Sequence, residues 1–379
     1  MDFTLGPEYI AYRKLYSAFA QNEVKPLAVV TDETEEFPRE TVEKMKEIGF
    51  MGIPIPREYG GQGCDSLAYI MCVEELSKVC ATTGVIVSAH TSLCCDPIAN
   101  YGTPKQKEKY LVPLASGKKL GAFGLTEPSA GTDASAVKTT AVEDGDSYVL
   151  NGTKIFITNG KEADIYIIIA MTDKAAGTKG LSAFIVEKDT PGFTFGTKEK
   201  KMGIRGSSTY ELIFRDCRIS KENLLGQKGH GFNIAMNTLD GGRIGIAAQA
   251  LGIAEGALET TVKYVKQRKQ FGKTIAKFQN TQFVLADLAT RVEATRLLVY
   301  KAAREKDSGK PFAEIAAMAK LFAAETAMEV TTKCVQLHGG YGYTREYEVE
   351  RMMRDAKITE IYEGTSEVQR MVISGALLK

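Results

Sequence analysis

The chain contains no tryptophan and only three histidines in 379 residues, His90, His230 and His338. None stands in a spaced cluster with cysteines or carboxylates, which argues against a zinc or di-iron centre, so no metal ligands are assigned. No nucleophile-elbow motif frames a serine, so a Ser-His-Asp hydrolase is disfavoured as well. The seven cysteines, Cys64, Cys72, Cys80, Cys94, Cys95, Cys217 and Cys334, include no C-x-x-C pair. An odd, scattered set suits free thiols in a reducing compartment, and adjacent Cys94 and Cys95 read as two small buried side chains on a helix. Charge of one sign is also lacking: 48 basic residues against 47 acidic ones leave +1. No global field therefore favours nucleic acid or an anionic membrane, and any anionic ligand must be held locally. No apolar run reaches membrane-spanning length, and the segment from Met1 to Glu8 has neither a signal-peptide nor an Arg-rich transit pattern, which points to the cytoplasm. Internal repeats, low-complexity linkers and disordered tails are absent from the pattern.

What is present is ordinary globular composition, 44% hydrophobic and 25% charged, in a chain long enough for two or three units with a shared core. Residues 7 to about 115 carry helical spacing, as in Tyr12, Leu15 and Phe19 and again in Leu67, Ile70, Met71, Glu74 and Val79. Glycine- and proline-rich turns at 49–56 and 59–63 break it, and Pro104 opens a further helix. Near residue 120 the period changes. Asp144-Gly145 and Asn151-Gly152 are the strongest hairpin signals, flanking Tyr148-Val149-Leu150 and Ile155-Phe156-Ile157. Further short β-branched runs up to Tyr210–Phe214 predict an antiparallel β-barrel or sandwich. From about Gly229 the helical period returns in stretches such as 247–267, 281–307 and 313–337, a helix bundle with short connections. The expected fold is mainly α with an inserted β-domain: a helical unit at 1–120, a β-domain at 121–222 and a helical bundle at 223–379.

Three kinds of segment could carry chemistry. Leu125-Thr126-Glu127-Pro128-Ser129-Ala130-Gly131-Thr132-Asp133-Ala134-Ser135 packs hydroxyls, glycine and proline together; it is either a cradle of free N–H groups for a polar ligand or a turn-rich loop. The glycine clusters at 226–231, 241–242 and 339–342 follow no strand of a βαβ unit, so a Rossmann fingerprint is rejected. Phosphates would instead meet helix N-termini and side chains such as Arg243 and Arg268, each of which taken singly reads as a surface arginine. Near the C-terminus, Ile361-Tyr362-Glu363-Gly364-Thr365-Ser366-Glu367 sets a carboxylate between an aromatic residue and a glycine just before a short helix. Alone, it reads as the solvated end of an element.

Taken together, the order of helical, β and helical regions, the segments Leu125 to Asp133 and Gln336 to Asp355, and Tyr362-Glu363-Gly364-Thr365 resemble the acyl-CoA dehydrogenases. The resemblance covers essentially the whole chain and is greatest to the short-chain, butyryl-CoA type of anaerobic bacteria. It implies an N-terminal helical domain, a middle β-barrel, a C-terminal four-helix bundle, and FAD held against the β-domain. Leu125, Thr126, Gly131 and Thr132 then match flavin-binding positions. Phe156 and Thr158 match the aromatic-x-Thr segment beside the flavin, with phenylalanine where many members have tryptophan. Arg268, Gln270, Phe271, Gln279, Gln336, Gly339 and Gly340 resemble the residues that hold the adenine and pyrophosphate of a neighbouring subunit's FAD, which implies a homotetramer built as a dimer of dimers. Thr365 and Glu367 match the remaining nucleotide contacts at a helix N-terminus. Ser135, Asp240 and Arg243 match positions near the pantetheine and CoA, while Tyr362 and Gly364 frame the thioester. Cys94-Cys95-Asp96 departs from the glycine-rich or apolar lining expected of a butyryl-CoA pocket. Glutaryl-type members carry arginine where Gly84 stands, which disfavours a dicarboxylic substrate.

Glu363 is then the expected base for the α-proton. Burial against an acyl chain and a flavin raises a carboxylate toward the operating pH. The isovaleryl and long-chain types place the base at the position of Gly242, and glycine cannot act as one. The implied activity is oxidation of a short acyl-CoA to its trans-2-enoyl-CoA, with electrons passed to electron-transfer flavoprotein. Alternatives are an enoyl-CoA reductase for acrylyl- or aryl-acrylyl-CoA, alone or in a bifurcating complex with that flavoprotein, an acyl-CoA oxidase, and a flavin-loaded interaction subunit without turnover.

Overall fold

The computed structural model describes residues 4–379; the first three residues, part of the leader reading, lie outside them. Eight helices open the chain: α1 (Pro7–Phe19), α2 (Lys25–Thr34), α3 (Arg39–Glu47), α4 (Ser66–Ser77), α5 (Ala81–Ser88), α6 (Asp96–Tyr101), α7 (Pro104–Gln106) and α8 (Val112–Ala115). Wide π-helical segments at 20–24, 89–95 and 107–111 run α1 into α2, α5 into α6 and α7 into α8. The start expected at Pro104 is fixed by a capping box, in which Thr103 and Gln106 each satisfy the other's backbone N–H.

A β-domain follows, with strands β1 (Gly121–Gly124), β2 (Thr140–Asp144), β3 (Ser147–Ile157), β4 (Ile165–Met171), β5 (Leu181–Glu187), β6 (Phe193–Lys198), β7 (Tyr210–Ser220) and β8 (Leu224–Leu225). They form one sheet in the order β6-β7-β3-β2-β4-β5-β8, with β1 beside β4. Pairing is antiparallel except between β1 and β4 and at the Thr140–Met171 contact of β2 with β4. In β4, Ile165, Ile167 and Ile169 pack toward the helices while Tyr166, Ile168 and Ala170 enter the sheet's own core. A strand buried on both faces reads as an unbroken apolar run, as this one does.

Of the two expected hairpins, only one exists. Asp144-Gly145 turns β2 into β3, with Gly145 at φ +59. Asn151-Gly152 does not turn the chain; β3 runs through it with a shift of register against β7. Gly152, at φ +149, takes a conformation L side chains rarely adopt, and a Cβ there would overlap Thr139. The Asn151 side chain bonds to Asp216 on β7, which keeps the strand paired through the irregularity.

Five helices complete the chain: α9 (Gly231–Gln267), α10 (Gln279–Asp307), α11 (Ala313–His338), α12 (Val349–Lys357) and α13 (Ser366–Leu377). A small hairpin, Lys269–Gln270 with Lys273–Thr274, joins α9 to α10. Helix α9 is the axis of the molecule, because one hydrophobic core contains its residues together with those of α4, α5, α10, α11 and α12. Its glycines explain the closeness: a Cβ on Gly252 or Gly256 would overlap the carbonyls of Glu74 or Lys78 in and just after α4.

Candidate active site

The C-terminal segment leaves α12 through a tight turn at Ile358–Glu360 and then does something unusual for an L-residue. Glu363 has φ +52 and Gly364 follows at +93, so two successive residues are left-handed before α13 begins. Glycine accepts that region at little cost, whereas glutamate does not. The turn is held from both sides. Gln369 Nε2 donates to the carbonyls of Gly364 (2.8 Å) and Glu363 (3.3 Å), and Lys320 Nζ on α11 donates to Gly364 O (2.7 Å). The Glu363 N–H makes no hydrogen bond among the described residues and is free to meet an acceptor.

This backbone lays the Glu363 side chain over α9. A Cβ on Gly242 would overlap Glu363 Oε2 and lie 2.9 Å from Leu93 Cδ2. Glu363 Oε2 is buried and has no hydrogen-bond partner. Burial pushes the carboxylic acid up to about 7, against the opposing charges of Lys320 and Arg243. Beside it, the Tyr362 hydroxyl donates to Gln249 Oε1, and Gln249 Nε2 in turn donates to Ala81 O (3.0 Å). Arg243, 5% exposed, is ion-paired to Asp240 one turn earlier, and its Nε has no partner. Tyr362, Gly364, Asp240 and Arg243 are thus assembled around Glu363. Gln249, Lys320 and Gln369 belong to the same assembly and were not singled out from the sequence.

The Cys94-Cys95-Asp96 departure resolves into packing. Both thiols are fully buried: Cys94 Sγ approaches Ile165 O on β4 (3.7 Å), and Cys95 Sγ lies 3.4 Å from His90 Nε2. Asp96 is paired with Lys306 at 2.5 Å. From that stretch it is Leu93, an apolar residue, that reaches Gly242.

In the β-domain the Leu125–Ser135 segment is a bridged loop, with Glu127 and Ala130 exchanging backbone bonds. Its framework is a buried ion pair. Glu127 accepts from the N–H groups of Lys138 (2.6 Å) and Thr139 (3.0 Å) and from Lys154 Nζ (2.7 Å), and Lys154 also donates to Leu125 O (3.0 Å). Ile155 N–H closes the loop onto Thr126 O at 2.9 Å. Thr126 and Thr158 are left half-buried and Gly131, Thr132 and Ser135 exposed, while Leu125 faces inward. Ser135 Oγ donates to Asp133. Phe156, at φ +59, offers a ring that is 59% exposed.

A second cleft, of about 520 Å³, opens where the end of α9 meets the end of α11. Arg268, Gln270, Gln336, Gly339, Gly340 and Tyr341 line it, with the Arg268 guanidinium over the Tyr341 ring. Gln279 is exposed at the start of α10, and Phe271, in the hairpin before it, is 93% exposed. Positions 243 and 268 are 25 residues apart on one helix, about 37 Å at 1.5 Å per residue. The fold sets the Arg268 cleft apart from the assembly around Glu363. Thr365 and Glu367 lie with the latter: the Thr365 hydroxyl caps α13 by accepting from Val368 N–H, and Glu367 is exposed in its first turn. Among the described residues no cluster of histidine, cysteine and carboxylate could hold a metal, and no helix is long and apolar enough to cross a membrane.

Three family models match in order: the acyl-CoA dehydrogenase N-terminal domain over residues 6–118, the middle domain over 122–217 and the C-terminal domain over 229–378. The chain is 61% identical to a short-chain specific acyl-CoA dehydrogenase of Clostridium acetobutylicum, covering 100% of both proteins. It is 52% identical to the acryloyl-CoA reductase (NADH) of Anaerotignum propionicum, covering 100% of this chain and 96% of that one. The solved butyryl-CoA dehydrogenase of Megasphaera elsdenii superposes with a TM-score of 0.99 at 55% identity, over the full length of both. A chain from the structure called "Electron transferring flavoprotein of Acidaminococcus fermentans: Towards a mechanism of flavin-based electron bifurcation" does so with a TM-score of 0.99 at 59% identity, again over both full lengths. With every domain model matched in sequence order and more than half of the residues shared end to end with such relatives, the chain belongs to the acyl-CoA dehydrogenase family.

Proposed function

We propose that the protein catalyses FAD-dependent α,β-dehydrogenation of a short-chain acyl-CoA of the butyryl type, giving the trans-2-enoyl-CoA, with Glu363 as the base. The observation that carries this reading is the buried, unpartnered Glu363 Oε2 resting on Gly242 and raised to about 7. A carboxylate at that value is ionised in useful amount near neutrality yet basic enough to take a proton.

The residues present fit FAD. Phe156 offers an exposed ring for stacking, a side chain added at Gly131 would meet nothing within 4 Å, and the loop around Thr126 and Thr132 stands open on a rigid support. Thr158 would bond near the flavin edge. When bound, FAD supplies the acceptor for the hydride leaving the β-carbon. The protein's part is to place the substrate and remove the proton. The free Glu363 N–H donates to the thioester oxygen and stabilises the charge that develops there as the α-proton leaves. Gly364, at φ +93, allows the turn that presents this N–H, and a Cβ there would strike Gln369. Tyr362, pinned by Gln249, walls the site, and Arg243 with Ser135 would hold the pantetheine and CoA.

The cleft at Arg268, Gln270, Gln336, Gly339 and Gly340 suits an adenine and pyrophosphate, with Phe271 and Gln279 close by in sequence. It lies about 37 Å along α9 from Arg243, apart from the assembly around Glu363. This separation supports a cleft that serves the cofactor of a second copy, in a homotetramer built as a dimer of dimers. Electron-transfer flavoprotein is the proposed redox partner and the cytoplasm the proposed compartment; the bifurcating relative supports the partner. The test is anaerobic bleaching of the FAD-loaded protein by a panel of propionyl, butyryl, hexanoyl, branched and aryl-propionyl thioesters of CoA. Fastest bleaching by butyryl-CoA or a near homologue is expected, and a protein that takes up no FAD overturns the reading.

A second reading, the same chemistry run physiologically as enoyl-CoA reduction, is favoured by the similarity to acryloyl-CoA reductase. Turnover of acrylyl-CoA with reduced flavoprotein exceeding the forward rate would select it.

A further inference from the structure

Helix α11 carries a lysine with zero exposure, Lys320, in an alanine-rich stretch. A buried ammonium is costly unless an opposite charge and hydrogen bonds compensate it. Among the described residues Lys320 forms no ion pair within 4 Å; its single hydrogen bond goes to Gly364 O, 2.7 Å away. That carbonyl belongs to the residue after Glu363, inside the left-handed turn. A lysine retained only for stability would be expected beside a carboxylate. This one is aimed at the backbone of the base.

We propose that Lys320 is a positioning residue for Glu363: its ammonium clamps the Gly364 carbonyl, fixes the turn that lays the carboxylate over Gly242, and supplies the nearby positive charge that keeps that carboxylate ionised. The proposal rests on the reading of Glu363 as the base. Backbone strain at φ +52 persists only where neighbours over-determine it, and Lys320 with Gln369 does so from two helices. The charges facing Lys320 come from every side: Glu363 on the turn, Arg243 on α9, Glu360 before the turn and Glu367 on α13. Facing Glu363 are Lys320, Arg243 and the phenols of Tyr362 and Tyr69. Burial lowers Lys320 and Glu363 opposes that, leaving it at about 8, so at neutral pH the side chain is a cation. It favours the ionised base, in opposition to burial.

Substitutions separate the clamp from the charge. Lys320→Gln keeps a donor and removes the charge, whereas Lys320→Arg keeps the charge. Each holoenzyme is first checked for FAD content. The Glu363 carboxyl is then titrated by infrared difference spectroscopy, with Glu363→Gln as the blank, and the pH profile of anaerobic bleaching by butyryl-CoA is measured alongside. In Lys320→Gln both the titration and the rising limb of the profile should move to higher pH by about one unit, the low end for loss of a nearby opposite charge. In Lys320→Arg both should stay with the wild type. Titration of Lys320→Gln at the wild-type position overturns the proposal, as does a shift of equal size in Lys320→Arg. If no acyl-CoA bleaches the wild type, the functional reading fails while the infrared titration still decides whether Lys320 governs Glu363.

Discussion

Gly242 and Glu363 compete for one volume: a Cβ on the first would overlap Oε2 of the second. The position where other members of the family would carry the base is here the seat on which the carboxylate rests. Gly242→Ala should displace the carboxylate and slow anaerobic reduction by butyryl-CoA on the order of 10²-fold, the usual effect of an ångström-scale misplacement. Glu363→Gln should slow it by about 10²- to 10⁴-fold. FAD content should stay constant in both. Bleaching of Gly242→Ala at the wild-type rate would show that the seat is not needed.

Burial raises Glu363 to about 7 from its ordinary 4.5, and two consequences of opposite sense follow. Bleaching in the free enzyme should rise with pH through an inflection near 7, because the carboxylate is the active form. Stability should move the other way. Between 4.5 and 7 the folded protein holds a proton that the unfolded chain has released, so this group costs stability as pH rises through that window and costs most above 7. Glu363→Gln should therefore be more stable than wild type at pH 8, by about 3 kcal/mol, and lose that advantage near pH 4. Thermal melts of the two proteins at a series of pH values measure this.

Lys154 and Glu127 are both buried, and together they carry the loop that offers Thr126 and Thr132. Lys154→Met leaves an unpaired carboxylate inside the β-domain and should cost about 3 kcal/mol, toward the low end for a broken buried pair because two N–H groups still hold Glu127. FAD should be released more readily, which ultrafiltration at several protein concentrations would show. Unchanged stability and retention would remove the pair from any role in the loop.

The absence of tryptophan allows a clean probe. In Phe156→Trp the new indole is the only one in the chain, placed where a ring is 59% exposed. Its emission should be strong in the apoprotein and quenched in proportion to FAD added. Emission indifferent to FAD would place the flavin elsewhere.

What could be read in advance was what neighbouring residues decide. Glu363, Gly364 and Thr365 form a local pattern, and the apolar run of β4 announces a strand buried on both faces. Asn151-Gly152 misled because an asparagine-glycine pair serves a hairpin or an irregularity within a strand alike; β7, far along the chain, decides between them. Lys320 was hidden for a similar reason. One lysine among alanines looks like the wet side of a helix, and its meaning comes from a carbonyl 44 residues away. The cleft joins two segments, around Arg268 and Gln336, that meet where α9 and α11 end together and Tyr264 stacks on His338.

The length of α9 has a genetic consequence. If its far end completes the nucleotide site of a second copy, each catalytic centre is a composite of two polypeptides, and damage at the Glu363 site and damage at the far-end cleft of one chain fall in different centres. A chain with Glu363→Gln and a chain crippled at Arg268, each inactive alone, should restore part of the activity when co-assembled, because some centres then draw both intact halves. Two alleles, one with its lesion at the Glu363 site and the other at the Arg268 cleft, would complement each other, while two with lesions in the same site would not.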